Sequence, residues 1–214
     1  MNILFSNQVI WVSLKAFVIS VILTPILRDI FRSYNVVDRP GPRKVHDYPI
    51  PRIGGIPIAI AYGISLISFS NLSSGFSSLA WKLIPGAGVI FLVGLLDDLF
   101  NLKPIYKLAG QVAAAVLVFW SGLRIDILGN TLPGWLNLPL TIFWLLLATN
   151  ALNLIDGLDG LCAGMGLVAT LAICGAAWLH GNDPLVHATL PLAGALLGFL
   201  CYNINPATVF LGDS

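Results

Sequence analysis

The chain is organised as seven apolar segments, at about 8–28, 53–70, 83–97, 108–121, 138–155, 160–180 and 185–204. A helix needs about 20 predominantly apolar residues to cross the hydrocarbon core of a bilayer. A backbone in lipid must satisfy its own hydrogen bonds, so helices are the form such segments take. The third and fourth segments are short for this and leave room to extend into the connection between them. Composition agrees, with 57% hydrophobic and 10% charged residues, against about 25% charged in a soluble globular domain. The expected fold is therefore all-α: a polytopic transmembrane helix bundle of about seven membrane helices, a single integral membrane domain over residues 1–214. The first segment is too long and too poorly flanked for a cleaved signal peptide. Residues near 124–136 alternate apolar and polar around Gly129-Asn130 and suggest a short extracytoplasmic β-hairpin. Cys162, Cys174 and Cys201 lie in apolar runs without a CxxC spacing, as buried thiols do.

Lys and Arg orient the segments. If the connection at 29–52 is cytoplasmic, that side holds Arg28, Arg32, Arg39, Arg43, Lys44 and Arg52. Lys103 and Lys107, in the connection at 97–107, fall on the same side, and only Lys82 and Arg124 fall opposite. The N-terminus is then outside and residue 214 inside. All ten acids are aspartates, and Asp29, Asp38, Asp47, Asp97, Asp98, Asp156, Asp159 and Asp213 map to the cytoplasmic side. Acids contribute little to topology, so this bias asks for another cause.

The segment GLLDDLF, residues 94–100, ends an apolar run on two adjacent carboxylates, Asp97 and Asp98. Asp97-Asp98, the group Asn153/Asp156/Asp159, and Asp213 all fall at or just past the ends of inward-running segments. A helix C-terminus carries partial negative charge, so an acid there is unfavourable unless a cation compensates. Three such ends suggest a shared cation site, and oxygen donors without His or Cys point to Mg²⁺, with Mn²⁺ as the variant, and away from zinc. In ATNALNLIDGLDGLCAG, residues 148–164, Asn150, Asn153, Asp156 and Asp159 recur every third residue. They form either a ligand-binding stripe or a helix–helix hydrogen-bond seam. Gly157 and Gly160 make a continuous helix doubtful there and let a ligand approach the backbone. The stretch VVDRPGPRKVHDYPIPRIGG, residues 36–55, is a proline-stiffened basic loop carrying Lys44 and His46. It suits anionic lipid head groups or phosphates beside a metal. Carboxylates, a basic loop and a membrane face together suit phosphoryl transfer between a soluble diphosphate and a lipid phosphate, in which the protein positions the groups and neutralises charge.

DRPGPRKVHDYPIPRIGG, GLLDDLFNLKP, NALNLIDGLDGL and YNINPATVFLGDS, in that order along the chain, resemble blocks of the polyprenyl-phosphate N-acetylhexosamine-1-phosphate transferases. These include the enzymes that start O-antigen and wall teichoic acid synthesis, the muramoyl-pentapeptide translocase and the dolichol counterpart. The resemblance implies transfer of N-acetylhexosamine 1-phosphate, from the YPIPRIGG ending N-acetylglucosamine 1-phosphate, from a UDP-sugar to undecaprenyl phosphate with release of UMP. The setting it implies is the bacterial cytoplasmic membrane. It gives Asp97 and Asp98 the catalytic role on the lipid phosphate, Lys107 a contact with the diphosphate, and Asn153 and Asp213 the metal. Lys44, His46, Asn150, Asp156 and Asp159 fall to substrate binding. The partners expected are the UDP-N-acetylhexosamine, undecaprenyl phosphate and the bilayer, with no nucleic acid and a homodimer left open. Members of this family are longer, with further membrane helices and a His-containing cytoplasmic loop. The chain is therefore expected to be the N-terminal part of a longer fold, inactive by itself. A transporter, an intramembrane aspartyl protease and a non-catalytic membrane fragment are the competing classes. The first two favour acids near the bilayer midplane, where this chain has few.

Overall fold

The computed structural model describes residues 7–38, 48–70, 74–125 and 133–214. Seven α-helices follow in order: α1 (Asn7–Ser33), α2 (Gly55–Ser70), α3 (Ser74–Phe100), α4 (Pro104–Trp120), α5 (Asn137–Ile155), α6 (Leu161–Leu179) and α7 (Asp183–Asn203). Five stretches, Gln8–Ser33, Trp81–Phe100, Gly134–Ile155, Leu161–Leu179 and Asp183–Asn203, are long and apolar enough to cross a membrane. The apolar parts of α2 and α4, Gly55–Ile67 and Pro104–Trp120, are shorter. The protein is thus an all-α polytopic membrane protein, with one helix for each apolar segment.

Two expectations about connections change. Helix α1 runs on to Ser33, and α3 runs to Phe100 while α4 starts at Pro104, so the connection expected over 97–107 shrinks to three residues, 101–103. Asn101 takes a left-handed φ of 49°, and Pro104 starts α4 where a missing N–H costs nothing. The hairpin expected near 124–136 is not formed in its described part. Gly134–Leu136 is a 3-10 turn leading into α5, and Ile125 N–H donates to Thr141 Oγ1 of α5 at 3.1 Å. Period-two alternation over so few residues does not separate a strand from a turn that feeds a helix. Residues 126–132, the proposed tip, lie outside the described residues.

Four of the buried hydroxyl groups in the apolar helices are satisfied locally. Thr24, Ser65, Thr170 and Thr189 each donate to the carbonyl four residues earlier, at 2.7, 2.7, 2.7 and 2.8 Å. This lets polar residues stand buried among apolar helices without a side-chain partner on another helix.

The chain divides into two compact units. The first comprises Met1–Leu79 with Asp156–Gly212, and the second Ala80–Ile155 with Asp213–Ser214. In the first unit α7 packs against α1, α2 and α6, and the core gathers Ala16, Ile53, Ile58, Ala61, Ala195 and Phe199. Gly198 of α7 permits the close approach of α1: a Cβ there would sit 2.6 Å from Phe17 O and 2.8 Å from Ser20 Cβ. Small residues that let backbones meet are the usual means of joining helices in lipid. The stretch after α7 folds back on the entry to α2. Phe210 N–H donates to Pro51 O at 2.9 Å, Gly54 N–H to Phe210 O at 2.9 Å and Gly55 N–H to Leu211 O at 3.0 Å. In the second unit α4 packs against α5, and Gly110 of α4 lies so close to Val93 of α3 that a Cβ would overlap that side chain.

Candidate functional site

The last turn of α3 carries Asp97 and Asp98, and in the second unit the two carboxylates have different partners. Asp97 Oδ1 accepts the N–H of Leu102 at 2.8 Å, closing the turn after the helix. Its Oδ2 meets Lys107 Nζ at 3.0 Å, and the same ammonium meets Asp213 Oδ1 at 3.0 Å. The Lys107 and Asp97 side chains are 19% and 13% exposed, so this bridge is largely out of water and stronger than a surface pair. Lys107 reaches Asp97 because Asn101–Lys103 is tight and α4 starts at once. The lysine then stands in the first turn of α4, opposite the last turn of α3.

Asp98 holds the backbone of the chain's last two residues. Its Oδ1 accepts Asp213 N–H at 2.8 Å and its Oδ2 accepts Ser214 N–H at 2.9 Å. Gly94 stands one turn before Asp98 on the same helix face, and a Cβ at Gly94 would collide with the Asp213 carbonyl. Gly94 and Asp98 therefore form a cradle for the Asp213-Ser214 backbone, one by leaving room and the other by accepting its donors. That cradle delivers the Asp213 side chain to Lys107. Burial pushes the Asp213 carboxyl above the ordinary range, the adjacent Asp97 carboxylate adds to the rise, and the Lys107 ammonium opposes it.

Two carboxylates share the Lys107 ammonium and a third, Asp98, is held beside them by backbone N–H groups, which leaves an excess of negative charge on hard oxygen donors. That donor set fits Mg²⁺, which takes one or two carboxylates and completes its shell with phosphate oxygens and water. A dedicated protein cage is absent: among the described residues no three His, Cys, Asp or Glu side chains are grouped to hold a metal ion. Asp97 and Asp213 are the residues whose oxygens already converge on a single cation.

The remaining expected site residues divide. Asn153 is half-buried in the last turn of α5 and, among the described residues, makes no hydrogen bond to the Asp97–Lys107–Asp213 group. Asn150 is engaged with Gln111: its Nδ2 donates to Gln111 Oε1 at 2.9 Å, and Gln111 Nε2 donates to Asn150 Oδ1 at 3.4 Å. Of the two readings open for Asn150, the helix–helix seam is the one it makes here. Helix α5 ends at Ile155, as Gly157 and Gly160 led us to expect, and Gly160 has a φ of 72° at the start of α6. In the first unit Asp159 Oδ2 accepts Asn205 Nδ2 at 3.1 Å and Ala207 N–H at 3.0 Å, while Asp156 Oδ2 accepts Gly212 N–H at 3.1 Å. Both carboxylates hold the stretch after α7. Lys44 and His46 lie outside the described residues.

Gln111 is the residue that the sequence reading passed over. It is the one polar side chain in residues 108–120 and stands four residues after Lys107, a spacing that puts the two on one helix face.

Comparison with known proteins identifies the family. The family model described as glycosyl transferase family 4 matches residues 80–214. A probable undecaprenyl-phosphate N-acetylglucosaminyl 1-phosphate transferase of Bacillus subtilis strain 168 is 35% identical, over 93% of this chain and 58% of its own length. A decaprenyl-phosphate N-acetylglucosaminephosphotransferase of Mycolicibacterium smegmatis is 36% identical, over 95% and 55% respectively. A phospho-N-acetylmuramoyl-pentapeptide-transferase of Oceanobacillus iheyensis is 37% identical, over 93% of this chain and 68% of its own length. The chain thus spans little more than half the length of the first two relatives. Taken with the paired aspartates of α3 and the lysine and aspartate gathered on them, these matches establish that the chain belongs to glycosyl transferase family 4.

Proposed function

We propose that the protein, in a form as long as its relatives, transfers N-acetylglucosamine 1-phosphate from its UDP-sugar to undecaprenyl phosphate at the cytoplasmic face of a bacterial membrane, and that it depends on Mg²⁺. The observation that carries this reading is the group at the end of α3 in which Asp97 and Asp213 meet Lys107 and Asp98 holds the Asp213 backbone. Relatives named for N-acetylglucosamine 1-phosphate transfer to undecaprenyl and decaprenyl phosphate support the substrate class. Asp97 and Asp98 stand at a helix end, where an anionic lipid head group meets the membrane surface. This is the location a transferase needs, whereas a transporter favours acids at the midplane.

In the proposed reaction an oxygen of the lipid phosphate attacks the sugar-bearing phosphorus of the UDP-sugar. The new P–O bond forms as the bond to the bridging oxygen breaks, and UMP leaves with that oxygen. The nucleophile is already an anion, so no serine or cysteine nucleophile is required. Asp97 and Asp98 orient the lipid phosphate and accept its remaining proton. Lys107, placed between carboxylates, offers its ammonium to the diphosphate oxygens, where charge grows in the transition state. Asp213, together with Asn153 or Asp97, is assigned to Mg²⁺, which when bound neutralises charge on the diphosphate.

The test is transfer of label. Membranes carrying the protein, given UDP-N-acetylglucosamine labelled in the sugar and undecaprenyl phosphate, are expected to yield labelled lipid and an equal amount of UMP, and neither after chelation of divalent ions. UDP-N-acetylmuramoyl-pentapeptide is expected to be a poor donor. Label moving from no UDP-N-acetylhexosamine would overturn the reading, and preferred use of the pentapeptide donor would overturn the sugar assignment.

A further inference from the structure

The amide pair between Gln111 and Asn150 has no place in the chemistry above, yet it is built with care. Gln111 is buried, at 3% exposed. The pair is reciprocal, each amide donating to the other at 2.9 and 3.4 Å, and Asn150 Nδ2 adds a bond to Leu146 O at 2.8 Å. Amides in an apolar helix are costly without partners, and here each is the other's partner. We infer that Gln111 is a positioning residue: through Asn150 it fixes the axial register of α4, and so holds the Lys107 ammonium between Asp97 and Asp213.

Three observations in the second unit lead there. Lys107 and Gln111 are four residues apart on α4, one above the other on one face and about 6 Å apart along the axis. Gly110, three residues after Lys107 and so beside it on the same part of the helix, is pressed against Val93 of α3, and Val93 lies one turn before Asp97. A slide of α4 along α3 therefore carries Lys107 away from Asp97 directly. The three-residue connection and the Leu102 N–H to Asp97 bond tie the first turn of α4 to α3, but beyond that turn the contacts that would resist such a slide are weak in direction. Around Gln111 the helix offers Ala, Val and Leu, and apolar packing between such side chains carries little directional preference. A hydrogen bond is directional, and a shift of about 1 Å takes a 2.9 Å contact out of hydrogen-bonding range. The amide pair is thus the registering element. One turn along, the ammonium meets two carboxylates at 3.0 Å each, an arrangement that needs axial precision.

This assignment takes Lys107 as part of the transfer machinery and to that extent rests on the proposed function, so the test has an arm that needs no activity. The accessibility of the Lys107 amine is read by trace acylation with acetic anhydride and mass spectrometry, with exposed Lys103 as the internal standard. In Gln111→Leu the ratio of Lys107 to Lys103 labelling is expected to rise roughly threefold or more, as the ammonium leaves its carboxylates more often. The exchange variant Gln111→Asn/Asn150→Gln keeps one long and one short amide, and is expected to return the ratio to that of the native protein. In the second arm, turnover of UDP-N-acetylglucosamine in Gln111→Leu falls about tenfold with KM within about twofold, as expected of a misplaced charge. The exchange variant recovers most of it. Should Gln111→Leu not fold, Gln111→Asn alone, one methylene shorter, carries the same expectations. An unchanged labelling ratio, or equal rises at Lys103 and Lys107, overturns the inference. If no form of the protein transfers sugar phosphate, the proposed function fails while the labelling arm still decides the positioning role.

Discussion

Lys107 is the side chain on which the charges of the second unit balance. Removing its ammonium in Lys107→Met leaves Asp97 and Asp213 facing each other in a largely enclosed setting. The cost is expected at about 1–3 kcal/mol, below the range for a fully buried pair because both acids keep some contact with water. The measurement is thermal unfolding in detergent, and a melting temperature equal to that of the native protein would show that the bridge carries no stability. Asp213 is read as a metal ligand, so Asp213→Ala is expected to raise the Mg²⁺ concentration for half-maximal transfer by about tenfold. An unchanged titration removes it from the metal's surroundings. Asp97, Asp98 and Asp213 were legible because their chemistry conflicts with their setting: acids at the negative end of a helix, beside apolar runs, imply a cation. Gln111 and Asn150 were not legible as a pair, since spacing along one helix does not say which other helix its polar residue will meet.

At the scale of elements, close approach decides the structure. Gly94→Val puts a branched side chain where the Asp213 carbonyl lies. The cradle on α3 is then expected to open, with loss of transfer activity by about 100-fold while helix content by circular dichroism stays within error. Retained activity would mean that the Asp213-Ser214 backbone does not need α3. Gly198→Leu drives α7 from α1, where Phe17 O is 2.6 Å from the position of a Cβ, and is expected to lower stability by about 1–3 kcal/mol or more. Hydrophobic runs gave the number and order of helices, with most ends within about five residues and the start of α3 nine residues earlier than expected, because the need to span a bilayer is a strong constraint on length and polarity. Helix ends and connections were read less well. The three residues 101–103 suffice where a longer connection was expected, and the 3-10 turn at Gly134–Leu136 replaces a strand. Both depend on local bonds, Leu102 N–H to the Asp97 carboxylate and Leu136 N–H to Pro133 O, which no periodicity reports.

For the molecule as a whole, membrane character and family are established by helix length and by the match over residues 80–214. Orientation is proposed from the bias of Lys and Arg. With cysteine in place of Lys82 and of Lys103, an impermeant maleimide added to intact cells is expected to label the first and to reach the second only after permeabilisation. The reverse pattern would invert the topology and move the aspartates to the outer face. The account finally depends on the α3 carboxylates acting in transfer rather than only holding the fold, and release of UMP tests that most directly. Membranes carrying the protein should release UMP from UDP-N-acetylglucosamine when both undecaprenyl phosphate and Mg²⁺ are present. Asp97→Asn and Asp98→Asn, inserted at native levels, should lower that rate by about 100-fold or more. Rates within about twofold of the native protein in both variants would contradict the assignment of the site.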